Sequence, residues 1–333
     1  MLEGRGIRQI MRYKRIRAVF WIPMGVLGFW ALSPIASGWL WLADIAANTL
    51  PWCVVLSVVA ILYHMGRKQR WKVFMAILCG VASLLWIVFV PRAARFVGSP
   101  KQNKTVHLLT YNAETRRLDA QGAIDLLHST DADVVAMNEA PASLLEVIKT
   151  DSYLAQRYPF REQPPWKMTN TRLILSRYPL DPLIDRSHLV PHDLRRGFRF
   201  VRVHHPLGSF VLMQLHPKSP RTPDRWRKGN ALVQSAVAQI RLLGTDLPIV
   251  VLADLNSTPT GSRSRYLSAQ LGLARCKPML HWQGTYPAFL PGFVELAIDD
   301  AWVSSDWRVV SWKALGSFGS DHRAVEIGLT LSQ

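Results

Sequence analysis

Leu247-Pro248-Ile249-Val250-Val251-Leu252-Ala253-Asp254-Leu255-Asn256 is an apolar run that changes to polar residues at its end. A second polar group, Ser320-Asp321-His322, precedes the alternating stretch 324–331. Both runs have the pattern of buried strands, and polar groups at strand ends lie at a sheet edge, where sites are built. A carboxylate, an amide and an imidazole that meet there suit metal-assisted attack on a phosphate. The two stretches therefore predict a sheet with phosphate chemistry at its edge.

The composition excludes some classes of protein. The 333 residues carry a formal net charge of +17 and include only three cysteines, too few for a disulfide framework or a cysteine-based zinc site. Residues 1–104 have 14 Lys and Arg against 2 acids, a net of +12, whereas residues 105–333 have 26 against 21, a net of +5. The high charge belongs mainly to the N-terminal part and does not indicate nucleic-acid binding over the whole protein.

Three long apolar stretches fill this N-terminal part. They predict transmembrane helices at about residues 18–39, 45–65 and 72–91, each close to the roughly 20 residues that cross a bilayer. Buried core helices and a cleaved signal peptide are the alternatives. Three nearly uncharged stretches in close succession favour membrane spans over both.

Basic residues set the expected orientation of these spans. Residues 1–17 carry six Lys and Arg and residues 66–72 carry four, which by the positive-inside rule places both segments in the cytoplasm. Arg92 and Arg95 count slightly against the resulting orientation. We predict a multi-pass protein of the inner (plasma) membrane with an extracytoplasmic, or periplasmic, C-terminal part. The lipid bilayer is then a partner, and no protein partner is evident.

After a polar linker at residues 93–104, strand and helix patterns alternate. Helices are predicted at 119–129, 144–148 and 225–243. Strands are predicted at 106–111, 134–137, 173–175, 198–203, 210–215, 247–253, 296–303 and 324–331. Mixed strands with a few helices over about 225 residues indicate an α/β sandwich with helices outside. Residues 105–333 therefore form one predicted catalytic domain.

Polar side chains stand at most of the strand ends. They are Asn112, Glu139, His216, Asp254, Asn256, Asp299, Asp321 and His322. Taken singly, an Asn or Asp after a strand is usually a turn residue. Glu139 is harder to explain in this way, because Glu is not a favoured turn residue. The order and spacing of the whole set carry more weight than any one member.

From about Val106 to Leu331, the chain resembles the endonuclease/exonuclease/phosphatase superfamily, which has the deoxyribonuclease-like fold. The matching blocks, in the family's order, are Leu-Thr-Tyr-Asn (109–112), Asp-Val-Val-Ala-Met-Asn-Glu (133–139), Leu-Ile-Leu-Ser-Arg-Tyr-Pro-Leu (173–180), Gln-Leu-His (214–216), Ala-Asp-Leu-Asn-Ser (253–257), Ala-Ile-Asp (297–299) and Gly-Ser-Asp-His-Arg (319–323). The resemblance implies a four-layered α/β/β/α sandwich of two packed mixed sheets, here preceded by a transmembrane region. It also implies a metal-dependent hydrolase of phosphoric ester bonds, here a membrane-anchored bacterial member.

The resemblance further implies a metal site and two catalytic groups. Glu139, Asn112 and Asp321 would bind Mg²⁺ or Mn²⁺, for which carboxylate and amide oxygens are suitable ligands. Asp254 would orient or deprotonate a nucleophile, or protonate the leaving group. Asn256 would hydrogen-bond a phosphate oxygen of the substrate.

Two histidines complete the implied site. His322, oriented by an aspartate, would position or activate the attacking water. His216 would donate a hydrogen bond to the phosphate as negative charge develops. Asp300 follows Asp299, so either could be the partner of His322, and period-two alternation favours Asp299. Asn138 stands where the family usually has Gln, which is a mild departure.

Arginines before the predicted hairpin form a further group. Arg195, Arg196 and Arg199 cluster there, and Arg196 and Arg199 are candidates for contacts to substrate phosphates. The alternative is a solvated basic loop.

Three functions remain open at this point. The first is a membrane-anchored, metal-dependent phosphoesterase, with nucleic acid as one candidate substrate. The second is a phospholipid or headgroup phosphodiesterase or phosphatase, which the short linker to the membrane suggests. The third is a non-catalytic membrane-bound binding module, against which the intact set of polar residues argues.

Overall fold

The computed structural model describes residues 23–98, 104–114, 120–162, 171–183, 197–279 and 281–332. The chain divides into a helical unit up to Val90 and a second unit that contains Pro91–Pro259 and the chain from Arg263 onward. Each unit has its own architecture. The polar strand ends singled out above all belong to the second unit.

The helical unit contains α1 (Pro23–Ala36), α2 (Trp41–Ala47), α3 (Leu50–Gly66) and α4 (Arg70–Phe89). Among the described helices, α4 is long and apolar enough to cross a membrane. Helix α1 and residues 41–48 meet that criterion only as one span bent by 104°, and α3 is shorter. The predicted helix 72–91 corresponds to α4, whereas the predicted helix 45–65 is interrupted between α2 and α3. Three spans remain a prediction.

Twelve described strands build two sheets in the second unit. They are β1 (Val106–Asn112), β2 (Val134–Ala140), β3 (Phe160–Glu162), β4 (Thr171–Ser176), β5 (Leu180–Pro182), β6 (Phe198–His205), β7 (Gly208–Leu215), β8 (Ile249–Asp254), β9 (Ala274–Arg275), β10 (Asp299–Val303), β11 (Trp307–Ala314) and β12 (Val325–Leu331). The first sheet has the order β11-β12-β1-β2-β4-β3, and the second has the order β5-β6-β7-β8-β10-β9.

Helices cover the outer face of each sheet. Helices α5 (Gln121–Ser129), α6 (Ala142–Thr150) and α7 (Ser152–Arg157) pack on the first sheet in one buried apolar cluster. Helices α8 (Pro223–Leu243) and α9 (Ser262–Leu271) contribute to a corresponding cluster on the second sheet. The predicted sandwich of two mixed sheets with outer helices is confirmed.

Alternation along the strands assigns each side chain to one layer. In β1, Leu108 belongs to the apolar core between the sheets, whereas Leu109 belongs to the core beneath α5, α6 and α7. Val250 and Val251 of β8 divide in the same way between the central core and the core that α8 covers. Because side chains point to opposite faces with period two, both faces of these strands are apolar. The strands read as continuous hydrophobic runs for that reason.

Strand directions bring the polar ends together. Parallel pairing of β1 with β2 aligns Asn112 with Asn138, and parallel β7 and β8 end side by side. Antiparallel β10 begins where β8 ends, with Asp299 opposite Asp254. The residues before β12 reach the same edge because β12 runs antiparallel to β1. One end of the sandwich therefore collects the polar groups.

The loop before β12 is held by the first sheet and by α5. The hydroxyl of Tyr111 donates to the carbonyl of Ser317 at 2.7 Å and lies 3.2 Å from that of Phe318. A Cβ added at Gly122 of α5 would lie 1.8 Å from the Phe318 carbonyl oxygen. Glycine at position 122 thus allows the close approach that places residues 320–322 over the end of β1.

We predict that Gly122→Ala destabilises the protein, because the new methyl group must displace the backbone at Phe318. The expected loss is about 2 kcal/mol in the free energy of unfolding, as for other overpacked sites. Unfolding of the full-length protein in detergent measures it. Gly98→Ala is the control, since its Cβ would meet nothing within 4 Å. Equal stability of the two variants would contradict this account of the close approach.

Candidate active site

A fully buried carboxylate, Asp254, lies at the centre of the polar edge. Its Oδ2 accepts a hydrogen bond from Asn112 Nδ2 at 3.0 Å and lies 3.3 Å from His216 Nδ1 and 3.9 Å from His322 Nδ1. Its Oδ1 accepts from the backbone N–H of Asn256 at 2.8 Å. Burial raises the pKa of Asp254, but the neighbouring imidazoles and these donors outweigh it and hold the pKa well below the usual range.

A β-bulge aims Glu139 at the same place. The register of β2 with β4 shifts between Met137 and Ala140, and Glu139 has a φ of 51°. Bulges re-aim side chains near active sites, and positive φ is uncommon for a residue other than glycine. Glu139 Oε1 lies 3.0 Å from His216 Nε2 and 3.5 Å from Asn112 Nδ2. The hydrogen bond with His216 is the main reason why the pKa of Glu139 is lowered.

His216 connects the two carboxylates. It follows β7 directly, and its ring nitrogens face Asp254 on one side and Glu139 on the other. Burial lowers the pKa of an imidazole, but the hydrogen bonds to these two carboxylates prevail and raise the pKa of His216 to about 9. At neutral pH the ring therefore carries a proton and acts as a donor.

His322 and Asp299 form a buried pair. Nδ1 of His322 lies 2.9 Å from Asp299 Oδ2, and the ring packs against Tyr286 with centroids 4.7 Å apart. Burial lowers the pKa of His322, yet the charges of Asp299 and Asp254 raise it to about 10. Burial also raises the pKa of Asp299. Thr285 Oγ1 accepts the backbone N–H of Asp299 and fixes the start of β10.

Asp300 faces away from this pair, into the sandwich. Its Oδ2 accepts from Arg275 Nε at 2.5 Å, and its Oδ1 accepts from Trp312 Nε1 at 2.8 Å. Both aspartates are fully buried, so each needs its own set of donors. Of the two candidates left open by the sequence, Asp299 is the one that touches His322.

The remaining predicted polar residues, Asp321 and Asn256, lie at the edge of this site. Asp321 Oδ1 lies 3.8 Å from His322 Nε2, and the Asp321 backbone N–H donates to Glu114 Oε2 at 3.2 Å. Asn256 has a φ of 49°, and its Nδ2 donates to the Pro217 carbonyl at 3.2 Å. Glu114 was missed by the sequence reasoning, where the only signal was its position two residues after Asn112.

The structure describes one of the two candidate arginines and not the other. Arg196 lies outside the described residues. Arg199 lies within β6, opposite Gln214 of β7, and its Nε is buried. The alternative of a solvated loop is therefore wrong for Arg199, because this residue is part of a paired strand.

The set of potential metal ligands at this edge of the sandwich fits a divalent cation. It contains four carboxylates and two imidazoles, namely Glu139, Asp254, Asp299, Asp321, His216 and His322. The charge of the set stays negative even when both imidazoles carry a proton, which favours a cation. Ligand atoms of Asp254, Asp299 and His322 lie within 4.8 Å of one another. Since His322 Nδ1 already donates to Asp299, we favour the side of Glu139 and Asn112, whose oxygens suit Mg²⁺.

Comparison of sequences identifies one family. Residues 109–322 match the model of the Endonuclease/Exonuclease/phosphatase family. The matched span starts within β1 and ends at His322, so it includes every polar strand end described above. A search of the curated proteins found no match.

Solved structures share the fold. The endonuclease/exonuclease/phosphatase from Bacteroides vulgatus has a TM-score of 0.54 at 14% identity, over 68% of this chain and 99% of that chain. The mannosyl-6-phosphatase Bt3783 from Bacteroides thetaiotaomicron gives 0.51 at 15%, over 68% and 100%. TDP2 from D. rerio, complexed with a single-strand DNA product, gives 0.52 at 12%, over 68% and 99%. At these identities the likeness concerns the fold.

We predict that the metal-free protein loses stability as the pH rises from neutral to about 10. The folded state raises the pKa of His216 to about 9 and of His322 to about 10, above the usual 6.5. The resulting stabilisation is complete below about pH 6.5 and is lost as the pH passes these values, at up to about 1.4 kcal/mol per pH unit for each group. Unfolding in chelator across this range measures it.

The variant His322→Gln should show a shallower slope, because one of the two groups is absent. His204→Gln, at an exposed histidine paired with Asp181, controls for the loss of a histidine. A wild-type protein whose stability is flat from pH 7 to 10 would contradict the proposed charge balance.

Proposed function

This chain belongs to the endonuclease/exonuclease/phosphatase family, and from that premise we propose that it is a membrane-anchored phosphoesterase that uses a divalent metal and attack by water. The family makes the chain a hydrolase of phosphoester bonds. The observation that carries the finer proposal is that Glu139, His216, Asp254 and His322 lie together at one end of the sandwich. His216 lies 3.0 Å from Glu139 and 3.3 Å from Asp254, and His322 Nδ1 lies 3.9 Å from Asp254. A non-catalytic binding module, the third possibility from the sequence, is set aside.

Glu139 and Asn112, with Asp321 from the loop before β12, would hold the metal, which we propose to be Mg²⁺ or Mn²⁺. A bound dication would offset the negative charge of the substrate phosphate and of the surrounding carboxylates. The bulge and the positive φ fix the direction of Glu139 before any ligand binds. Such a fixed ligand loses little freedom on binding, which supports its assignment.

His322 and Asp299 would act on the attacking water. Since Nδ1 of His322 donates to Asp299, the other ring nitrogen, Nε2, is the one that would face the water. Nε2 would take the water's proton only in the neutral form of His322, which the positive charge of a bound dication would favour by lowering the raised pKa of His322. Asp299 fixes the tautomer and stabilises the imidazolium that forms. The aromatic ring of Tyr286 restricts the orientation of the imidazole.

Asp254, Asn256 and His216 would act on the phosphate and the leaving group. His216 carries a proton at neutral pH, and it would donate to a phosphate oxygen when Nε2 exchanges its contact with Glu139 for the substrate. The amide of Asn256, on a turn fixed by the Asp254 carboxylate, would donate to another. Asp254 is deprotonated and accepts from several donors, so we propose that it orients the reacting groups.

We propose an inner-membrane location with the second unit on the extracytoplasmic side. Helix α4 is long and apolar enough to cross a bilayer, and only 17% of its most apolar window is buried. The basic residues at 1–17 and 66–72 support this orientation.

Nucleic acid is the first candidate substrate. The D. rerio TDP2 structure of the same fold holds a single-strand DNA product. The net charge of +5 over residues 105–333 is compatible with an anionic polymer.

Lipid headgroup phosphoesters are the second candidate. Trp282, Phe289 and Phe293 are 79%, 78% and 67% exposed, and they lie in the same loop as Tyr286, which packs on His322. Exposed aromatic side chains of this kind are enriched at membrane interfaces. A phosphatase or phosphodiesterase that works at a lipid surface would use such a loop.

We predict that Glu139→Gln and His322→Ala each lower kcat by about a hundredfold or more, because they remove a metal ligand and the group that handles the proton. Purified full-length protein is assayed with Mg²⁺ or Mn²⁺ on single-stranded DNA and on phospholipid vesicles. Glu146→Gln and His204→Ala are matched controls, since both residues form exposed pairs on the surface. Full activity of either site variant would exclude its assigned role.

The same assay separates the two substrate classes. If lipid is the substrate, replacing Trp282 and Phe289 with Ser lowers activity on vesicles and leaves hydrolysis of a soluble phosphoester unchanged. If nucleic acid is the substrate, the double variant cleaves DNA as the wild type does.

We predict that a reporter that works only outside the cytoplasm is active when it is fused after Gln333, and that a reporter that works only in the cytoplasm is inactive there. The expectation follows from three spans with both basic segments on the inner side. Alkaline phosphatase and green fluorescent protein fusions give opposite signals in the two compartments. A fluorescent cytoplasmic fusion without phosphatase activity would overturn the topology.

A further inference from the structure

Arg172 lies directly opposite the bulge that carries Glu139. In the pairing of β2 with β4, Met137 faces Leu173 and Ala140 faces Thr171, so Asn138 and Glu139 together oppose Arg172. Arg172 is two residues before Ile174 in β4, and Ile174 lies in the core between the sheets. Because side chains alternate along a strand, the side chain of Arg172 points into the gap between the sheets at the active-site end.

Arg199 faces the same gap from the other sheet. It pairs with Gln214, and it has the same parity as Val201 of the central core. Gln214 Nε2 reaches across the gap to the Met137 carbonyl at 2.6 Å and to Asn138 Oδ1 at 3.1 Å. The neighbour of Arg199 thus contacts the bulge that Arg172 opposes, and the two arginines converge on it from opposite sheets.

Neither guanidinium forms an ion pair with a described acid, although the charges of Glu139 and Glu162 act on Arg172 and Arg199 from a greater distance. The Nε atoms of Arg172 and Arg199 are buried and have no hydrogen-bond partner in the described part of the chain. Burial, and then the charge of Arg199, lower the pKa of Arg172 to about 10, against the opposing effect of Glu139. Two positive charges thus share this gap, each with a buried Nε–H that has no partner among the described residues, and an anion that joins them would stabilise the arrangement.

We propose that Arg172 and Arg199 form an anion site beside Glu139 that takes a second phosphate group of the substrate. Planar guanidinium groups bind phosphate oxygens through paired, charge-assisted hydrogen bonds. As a substrate subsite the proposal rests on the proposed function. It then assigns the substrate to phosphoesters that carry another phosphate next to the one that is cleaved. As an anion site it stands without any catalysis.

Binding of pyrophosphate to the metal-free protein tests the anion site directly. Full-length protein in detergent with EDTA is titrated by calorimetry. We expect binding by the wild type and a loss of at least about tenfold in affinity for Arg172→Met and for Arg199→Met. Arg202→Met is the matched control, because Arg202 lies in the same strand with a buried, unpartnered Nε but has the opposite parity.

Arg172→Lys controls for a folding defect, since lysine keeps the positive charge but lacks the planar guanidinium group that forms paired hydrogen bonds with phosphate. Its affinity should be intermediate at an unchanged melting temperature. Absence of pyrophosphate binding by the wild type, or wild-type affinity in both methionine variants, would overturn the anion site.

An activity measurement separates this proposal from the proposed function. With metal present, Arg172→Met should raise KM about tenfold more for a phosphoester with a neighbouring phosphate than for a substrate without one. An equal effect on both substrates would contradict the subsite. If the wild type hydrolyses no phosphoester, the proposed function fails, and the titration in EDTA still decides on the anion site.

Discussion

The hydrogen bond from Asn112 to Asp254, at 3.0 Å, joins the ends of β1 in one sheet and β8 in the other. A fully buried carboxylate needs hydrogen-bond donors around it, and the described donors of Asp254 come from the neighbouring strand ends. His216 follows β7, Asn256 follows β8 and His322 precedes β12, and all three face this one acid. The two sheets must therefore pack in the register that brings their ends level. The apolar core below supplies the rigidity for that requirement.

Local pattern was sufficient for much of this architecture. Buried strands on both faces appear as continuous apolar runs, so Leu247–Ala253 predicted β8 to within two residues at its start. The polar residues at the strand ends could be named for the same reason, since each follows or precedes such a run. The alternation of β10 also separated Asp299 from Asp300, because one faces the site and the other faces Arg275 and Trp312.

Features that depend on two distant segments could not be predicted. The bulge in β2 exists only relative to β4, so nothing in the residues near Glu139 indicated the pairing with Arg172. Glu114 reaches the site through the backbone of Asp321, some two hundred residues later in the chain. In the helical unit, hydropathy alone predicted a continuous helix across 45–65. Pro51 has no N–H to continue a helix from the preceding turn, and α3 instead starts afresh with Pro51 in its first turn.

Three residues around the site, Glu114, Glu139 and Asn256, have φ values of 45°, 51° and 49°. The left-handed backbone conformation costs glycine less free energy than it costs glutamate or asparagine. At these positions the most stable residue and the most useful residue are therefore different. Glycine at these positions would relieve the backbone strain and at the same time remove polar groups from the edge, so stability and activity favour different residues there. The acid or amide at each of these three positions therefore places a polar group at the edge at some cost in backbone stability.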